Sequence, residues 1–146
     1  FESLLVESFA DSQIQILTCR IPILLVKEVK YNFISNWIKN MLKNEPITLF
    51  NPYSLLNACV TGDDIFNFTE NYFKYYKNNL ICNLSSKDPI RIIDAAYYIY
   101  DNLGITRNII EKSSKRKSQL ISHDLAVLNG YKPNSVKQSI YNYINY

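Results

Sequence analysis

Apolar positions along the chain change period several times, and each change marks an element. Phe1, Leu4, Leu5 and Phe9 recur at three- and four-residue steps, the spacing of a short helix or a docking arm. Gln13-Ile14-Gln15-Ile16-Leu17-Thr18 alternates with period two and predicts a half-buried strand. Ile21 to Val29 predicts a second, more buried strand, with Pro22 tolerable only near its start or on an edge. Only Cys19-Arg20 separates the two, so a hairpin is the expected connection, although no Gly or Asn supplies the preferred turn. Phe33-Ile34, Trp37-Ile38 and Met41-Leu42 return at helical steps around Lys39 and predict an amphipathic helix stopped by Asn44-Glu45-Pro46. Ile47-Thr48-Leu49-Phe50 predicts a short strand.

Beyond Pro52 the pattern reads as helix after helix. Asp63 or Asp64 caps Ile65 to Tyr76, and Asp88-Pro89 opens Ile90 to Leu103, which Gly104 closes. A short helix follows from Ile105 to about Ser113, another from Ser118 to Asn129 ends at Gly130, and Asn134 or Ser135 caps a last one to Tyr146. The sum is an α+β fold: a small, mostly N-terminal sheet of about three strands covered by helices, with an all-helical C-terminal half. No period of 20 to 50 residues repeats, which excludes a solenoid.

Composition narrows the picture. At 146 residues the chain is the size of one domain, and with 47% apolar against 20% charged residues it can bury a core. The unusual feature is the kind of residue, 12 Tyr and 7 Phe against 3 Gly and one His. Of 16 basic and 13 acidic residues, six and two lie from Glu111 onward, so residues 111–146 carry +4 and the first 110 carry −1. Cys19, Cys59 and Cys82 are odd in number and widely spaced, so neither a disulfide framework nor a zinc site is indicated; the expectation is buried thiols in a cytoplasmic or nuclear setting. The apolar run Ile21 to Val26 is far shorter than the roughly 20 residues of a membrane span, so no membrane partner is expected. The first residue is Phe rather than Met, which points to an excised domain.

Motifs for catalysis are missing. His123 has Asp124 beside it but no nucleophile elbow or Cys-His signature, and Asp63-Asp64 point about 100° apart on a helix and make no acid-base pair. Gly62, Gly104 and Gly130 are too far apart for a phosphate-cradling loop. No enzyme, cofactor or metal is expected on these grounds.

Two resemblances carry the functional expectations. Residues 124–136, with Ala126, Gly130 and Val136, resemble the middle of a helix-turn-helix. Lys132, Asn134, Ser135, Lys137 and Gln138 would then open a recognition helix, with Lys115, Arg116 and Lys117 as phosphate contacts, which makes duplex nucleic acid the alternative partner. The leading resemblance is to the BTB/POZ and Skp1-like fold. An arm (Leu4-Leu5, Phe9-Ala10-Asp11) precedes the first strand, Ser35 stands seven residues before Leu42, and Ile92-Ile93-Asp94-Ala95-Ala96-Tyr97-Tyr98-Ile99 is similar to that family's late helix.

This resemblance covers roughly residues 1–110, leaving 111–146 as a basic helical extension packed on the same domain. It implies a non-enzymatic protein-interaction module of a viral or protist protein, self-associating as a homodimer or acting as an adaptor in ubiquitin ligation toward a cullin or an F-box-type protein. The partner surface would use the arm residues Phe1, Leu4 and Leu5, the aromatic row Phe68, Tyr72 and Tyr75, and Tyr141 and Tyr143 of the last helix.

Overall fold

The computed structural model describes residues 2–9, 13–28, 31–115 and 119–145. Its helices are α1 (Glu2–Ser8), α2 (Phe33–Leu42), α3 (Gly62–Tyr75), α4 (Ile92–Leu103), α5 (Asp124–Leu128) and α6 (Val136–Ile144). Its strands are β1 (Leu17–Arg20), β2 (Ile23–Leu25), β3 (Ile47–Phe50), β4 (Leu55–Leu56), β5 (Cys59–Thr61), β6 (Leu80–Asn83), β7 (Ile90–Arg91) and β8 (Ile109–Lys112). The coarse reading of helices mixed with small sheets therefore holds.

The strands pair over long sequence distances. β1 runs parallel to β6, β2 to β5 and β3 to β8, while β4 and β7 are antiparallel. Two expectations fail here. No hairpin joins β1 and β2, because a parallel partner holds each, and the backbone N–H of Ile23, just after Pro22, donates to Ala58 at 3.1 Å. The C-terminal half is not all helical either, since it supplies β6, β7 and β8. Buried parallel strands read as short continuous apolar runs without alternation, so Leu80-Ile81-Cys82 gave no period-two signal.

Helix boundaries follow their caps. Thr61 caps α3, its hydroxyl accepting from the Asp64 N–H while the Asp64 carboxylate accepts from the Thr61 N–H, so the box begins before either predicted aspartate. Asp88 sits at φ 52°, which turns the chain instead of starting a helix, and α4 opens only after β7. Gly104 closes α4 at φ 65°, and Ser135 caps α6, both as predicted. The expected helix to Asn129 shrinks to α5, and the predicted ends at Val29, Ser118 and Tyr146 fall outside the described residues.

Two apolar clusters flank β5. Ile34, Trp37 and Met41 of α2, Ile47 and Leu49 of β3, Ala95, Ala96, Ile99 and Tyr100 of α4, and Val136 and Ile140 of α6 form the first, with Cys59 facing it. Phe68 and Tyr72 of α3, Leu80 and Cys82 of β6, Leu84, Ala126 and Tyr131 form the second, with Val60 facing it. Adjacent strand residues point to opposite faces, so β5 is the wall the clusters share.

β1 is paired on one side only. Leu80 donates to the Ile16 carbonyl at 2.9 Å and Leu84 to that of Arg20 at 3.0 Å, so the even-numbered backbone groups face β6 and those of Leu17 and Cys19 face away. Among the described residues no strand occupies that outer edge.

Candidate functional site

β2 and β5 run in the same direction with Leu25 opposite Thr61, so both release the chain at one end of the molecule. In parallel α/β structures the crevice beyond the carboxyl ends of strands is where ligands bind. A cleft of about 180 Å³ lies there, between the segment that leaves β2 (Val26, Lys27, Glu28), the start of α3 (Gly62, Asp63) and the end of α6 (Asn142, Tyr143). Its floor is fixed from several directions. The Tyr143 hydroxyl bonds Ser35 Oγ at 2.8 Å, and Asn32, which caps α2, donates to the Leu24 carbonyl at 3.1 Å. Gly62 is required sterically, because a Cβ there would come within 2.9 Å of Val26 Cγ1.

The chemistry available is recognition of a small polar group. Lys27, Glu28 and Asp63 are exposed at the rim, offering one cation and two carboxylates, and Asn142 adds an amide. A carboxylate accepts hydrogen bonds from hydroxyls, and an ammonium pairs with an anionic oxygen. The volume falls below the ~300–1,000 Å³ of pockets that enclose a drug-sized ligand, so the cleft has room for a small group only.

A phosphate does not fit the start of α3, although a strand, a glycine and a helix follow one another there. The Asp64 carboxylate already occupies the first turn, accepting from Thr61 N at 2.9 Å, Thr61 Oγ1 at 2.8 Å and Asn134 Nδ2 at 2.8 Å. Asp63 adds a second negative charge. A helix N-terminus filled by its own carboxylates repels an anion instead of attracting one.

A second polar cluster holds Ser85, His123 and Asn57. Ser85 Oγ lies 2.7 Å from His123 Nδ1, a nucleophile-base spacing that the sequence did not reveal. It is nonetheless structural. Ser85 is fully buried, and its hydroxyl also meets the Ile121 carbonyl at 2.9 Å and Asn57 Nδ2 at 3.3 Å. Asn57 clasps Ile121 twice, donating to its carbonyl at 2.8 Å and accepting from its N–H at 3.0 Å. Asp124, which would orient a catalytic histidine, instead accepts from Ser122 at 2.9 Å.

Among the thiols, burial pushes Cys59 up to about 12. Cys19 donates to Cys82, which holds Cys82 below its usual value and raises Cys19. No cluster of three or more potential metal ligands exists among the described residues. No helix among them is long and apolar enough to cross a membrane.

The predicted partner residues scatter. Phe1 lies outside the described residues, and Leu4 and Leu5 are exposed on α1. Phe68 and Tyr72 are core residues, with Phe68 and Tyr131 rings at 5.4 Å, so the expected row of exposed anchors is reduced to Tyr75. Tyr141 is exposed, and Tyr143 alone of the set reaches the cleft.

The basic set scatters as well. Arg116 and Lys117 lie outside the described residues, Lys115 and Lys132 are exposed, and Lys137 stands over the Tyr98 ring at 5.7 Å. Asn134 is bonded to Asp64, Ser135 caps α6, and Gln138 donates to Asn142 at 2.7 Å. α5 is five residues long and an extended segment separates it from α6, so no helix-turn-helix forms. The cleft residues Lys27 and Glu28 were not singled out from the sequence, and Gly62 was weighed there only as a phosphate-loop glycine and set aside. Their one signal was a β-prone run, Cys59-Val60-Thr61, leading through a glycine into a helix.

No family model and no curated protein matches the chain. Solved structures do match. UDP-glucose 4-epimerase of Thermotoga maritima, solved with UDP-glucose, superposes with a TM-score of 0.79 at 12% identity, over 99% of this chain and 50% of that one. dTDP-glucose 4,6-dehydratase of Bacillus anthracis, in complex with NAD, gives 0.76 at 10% identity, over 99% and 48%. UDP-glucuronic acid 4-epimerase of Bacillus cereus, also with NAD, gives 0.71 at 21% identity, over 99% and 49%. The chain thus spans about half the length of these proteins and shares the fold of that half.

These likenesses correct the resemblance to BTB/POZ and Skp1-like domains. In place of that fold, parallel strand pairs are linked by helices. The adaptor, ubiquitin-ligation and self-association readings were carried by it and fall with it. The expectation of a non-enzymatic protein loses its basis too, because the three matched chains are a dehydratase and two epimerases. The DNA-binding alternative has no helix-turn-helix to rest on and no support among the matched structures.

Proposed function

We propose that residues 1–146 form the sugar-side half of an NAD-linked enzyme acting on a nucleotide-activated sugar, with the dinucleotide held by a part of the enzyme outside these residues. The observation that supports this most is the likeness over nearly the whole chain to one half of proteins solved with UDP-glucose or NAD. The open edge of β1 agrees with it, since a two-stranded parallel pair is marginal alone and parallel sheets are built from more strands covered on both faces.

The residues present do not fit the dinucleotide. Its pyrophosphate needs closely spaced glycines and a helix N-terminus free of negative charge, whereas the one strand–glycine–helix turn here carries Asp63 and Asp64. When bound by the complete enzyme, the dinucleotide would supply hydride chemistry. This chain's own residues do something simpler. Glu28 and Asp63 accept hydrogen bonds from sugar hydroxyls, Lys27 neutralises an anionic oxygen, and the Tyr143–Ser35 bond fixes the wall against which the sugar rests.

Amide chemical-shift titration tests the reading. UDP-glucose is expected to move the amides of Lys27, Gly62, Asp63 and Asn142, and a Lys27→Ala/Asp63→Asn variant is expected to lose the response. NAD is expected to leave residues 61–64 in place. Shifts from NAD centred on 61–64, or none from UDP-glucose in the cleft, would overturn it.

A further inference from the structure

Of the three thiols, the fold brings together two that lie 63 residues apart in sequence. Cys19 on β1 and Cys82 on β6 are register partners in the parallel pair. Neighbouring strands lie about 4.8 Å apart, inside the roughly 4.4–6.8 Å separation of Cα atoms that a disulfide bridges. Register partners also project to the same face, so both sulfurs lie on the side packed against α3, beside Leu17, Leu80 and Tyr72. Cys82 is only 3% exposed, whereas Cys19 is partly exposed on the strand whose outer edge is open, which gives a small oxidant its approach. Cys59 is fully buried and faces the other cluster. It is therefore an internal control.

We propose that Cys19 and Cys82 are a reversible redox pair whose oxidation by a peroxide staples β1 to β6. Each thiol gives up one proton and one electron, and a single bond forms between the two sulfurs. The O–O bond of hydrogen peroxide breaks, and its oxygens leave as two waters. A dithiol reverses the step by thiol–disulfide exchange, becoming a disulfide itself while both cysteines regain their protons. The physical consequence is local, because β6 is the one strand that β1 pairs with among the described residues, and the cross-link fixes the two together. This site is independent of the cleft and of the reading given to it.

The test treats the folded 146-residue chain with hydrogen peroxide, alkylates the remaining thiols after unfolding and maps peptides without reduction. The expected result is loss of two hydrogens from the intact mass and a linked pair of peptides holding Cys19 and Cys82. Cys59 remains alkylated, and dithiothreitol restores the starting mass. Cys59→Ser keeps the link, while Cys19→Ser and Cys82→Ser lose it; the peptide map of the unsubstituted chain decides the matter even where a variant fails to fold. Oxygen added to either cysteine, a link between two chains, or a fully reduced folded chain each overturns the proposal.

Discussion

The two sides of β5 are built differently. On the Cys59 side, α2, α4 and α6 close around β3 and leave Ile34, Ile47, Leu49 and Ile99 with no exposure. On the Val60 side, α3 covers one face of the β1–β6 pair, and Leu17, Cys19, Ile21 and Tyr76 at the margin of that smaller cluster are only partly buried. The thiol pair lies on this less enclosed side, whereas the cleft takes Leu25 and Tyr143 from the margin of the first cluster.

The comparison can be broken first on the closed side. Ile99→Ala leaves a cavity in a site that cannot collapse and is expected to cost about 2–5 kcal/mol, read as a lower midpoint in urea. An equal loss from Leu128→Ala, whose side chain is 78% exposed, would show that exposure misjudges where the stability lies.

At the boundary, Asp64→Ala removes three hydrogen bonds and leaves the buried Thr61 amide without its partner, at an expected cost of about 2 kcal/mol. A smaller loss, ~1–2 kcal/mol, is expected from Ser85→Ala. His123→Ala should then leave the Asn57–Ile121 clasp intact, seen as unchanged protection of the Ile121 amide from hydrogen exchange.

The smallest effect belongs to the Arg91–Asp94 ion pair, 2.7 Å long and exposed. The Arg91 guanidinium holds the Asp94 carboxyl below its usual value, so the pair contributes above the ordinary carboxylate range and its contribution disappears as pH falls through the lowered folded value. Asp94→Asn should barely move the unfolding midpoint at pH 7 and abolish even that difference in acid.

Local signals along the chain predicted the local parts of this structure. The period of Ile34, Trp37 and Met41 gave α2, Gly104 gave the end of α4, and Ser135 gave the start of α6. What it hid was non-local. β6 and β8 pair with strands about 60 residues away, and Ile109-Ile110-Glu111-Lys112 reads equally well as the tail of a helix. The aromatic rows misled for a related reason. Helical spacing shows that Phe68 and Tyr72 share a face but not whether that face meets water, and here Tyr131 covers it. The cleft was the least visible, because its residues come from three distant segments and none is an unusual type.

The alternation along β5 also makes this strand intolerant of changes in length. Deleting one residue between Ala58 and Gly62 would turn it inside out, sending a thiol into the aromatic cluster and a valine into the helical one, and would drag the cleft rim with it. The segment around Tyr53 is held differently, by hydrogen bonds from Ile92 to Ser54 at 2.9 Å and from Ile93 to Pro52 at 2.8 Å at the start of α4. With β4 paired to β7 and Asn57 clasped to Ile121, the constraint on length extends back from β5 through this segment, so variation in length among related chains should fall outside it.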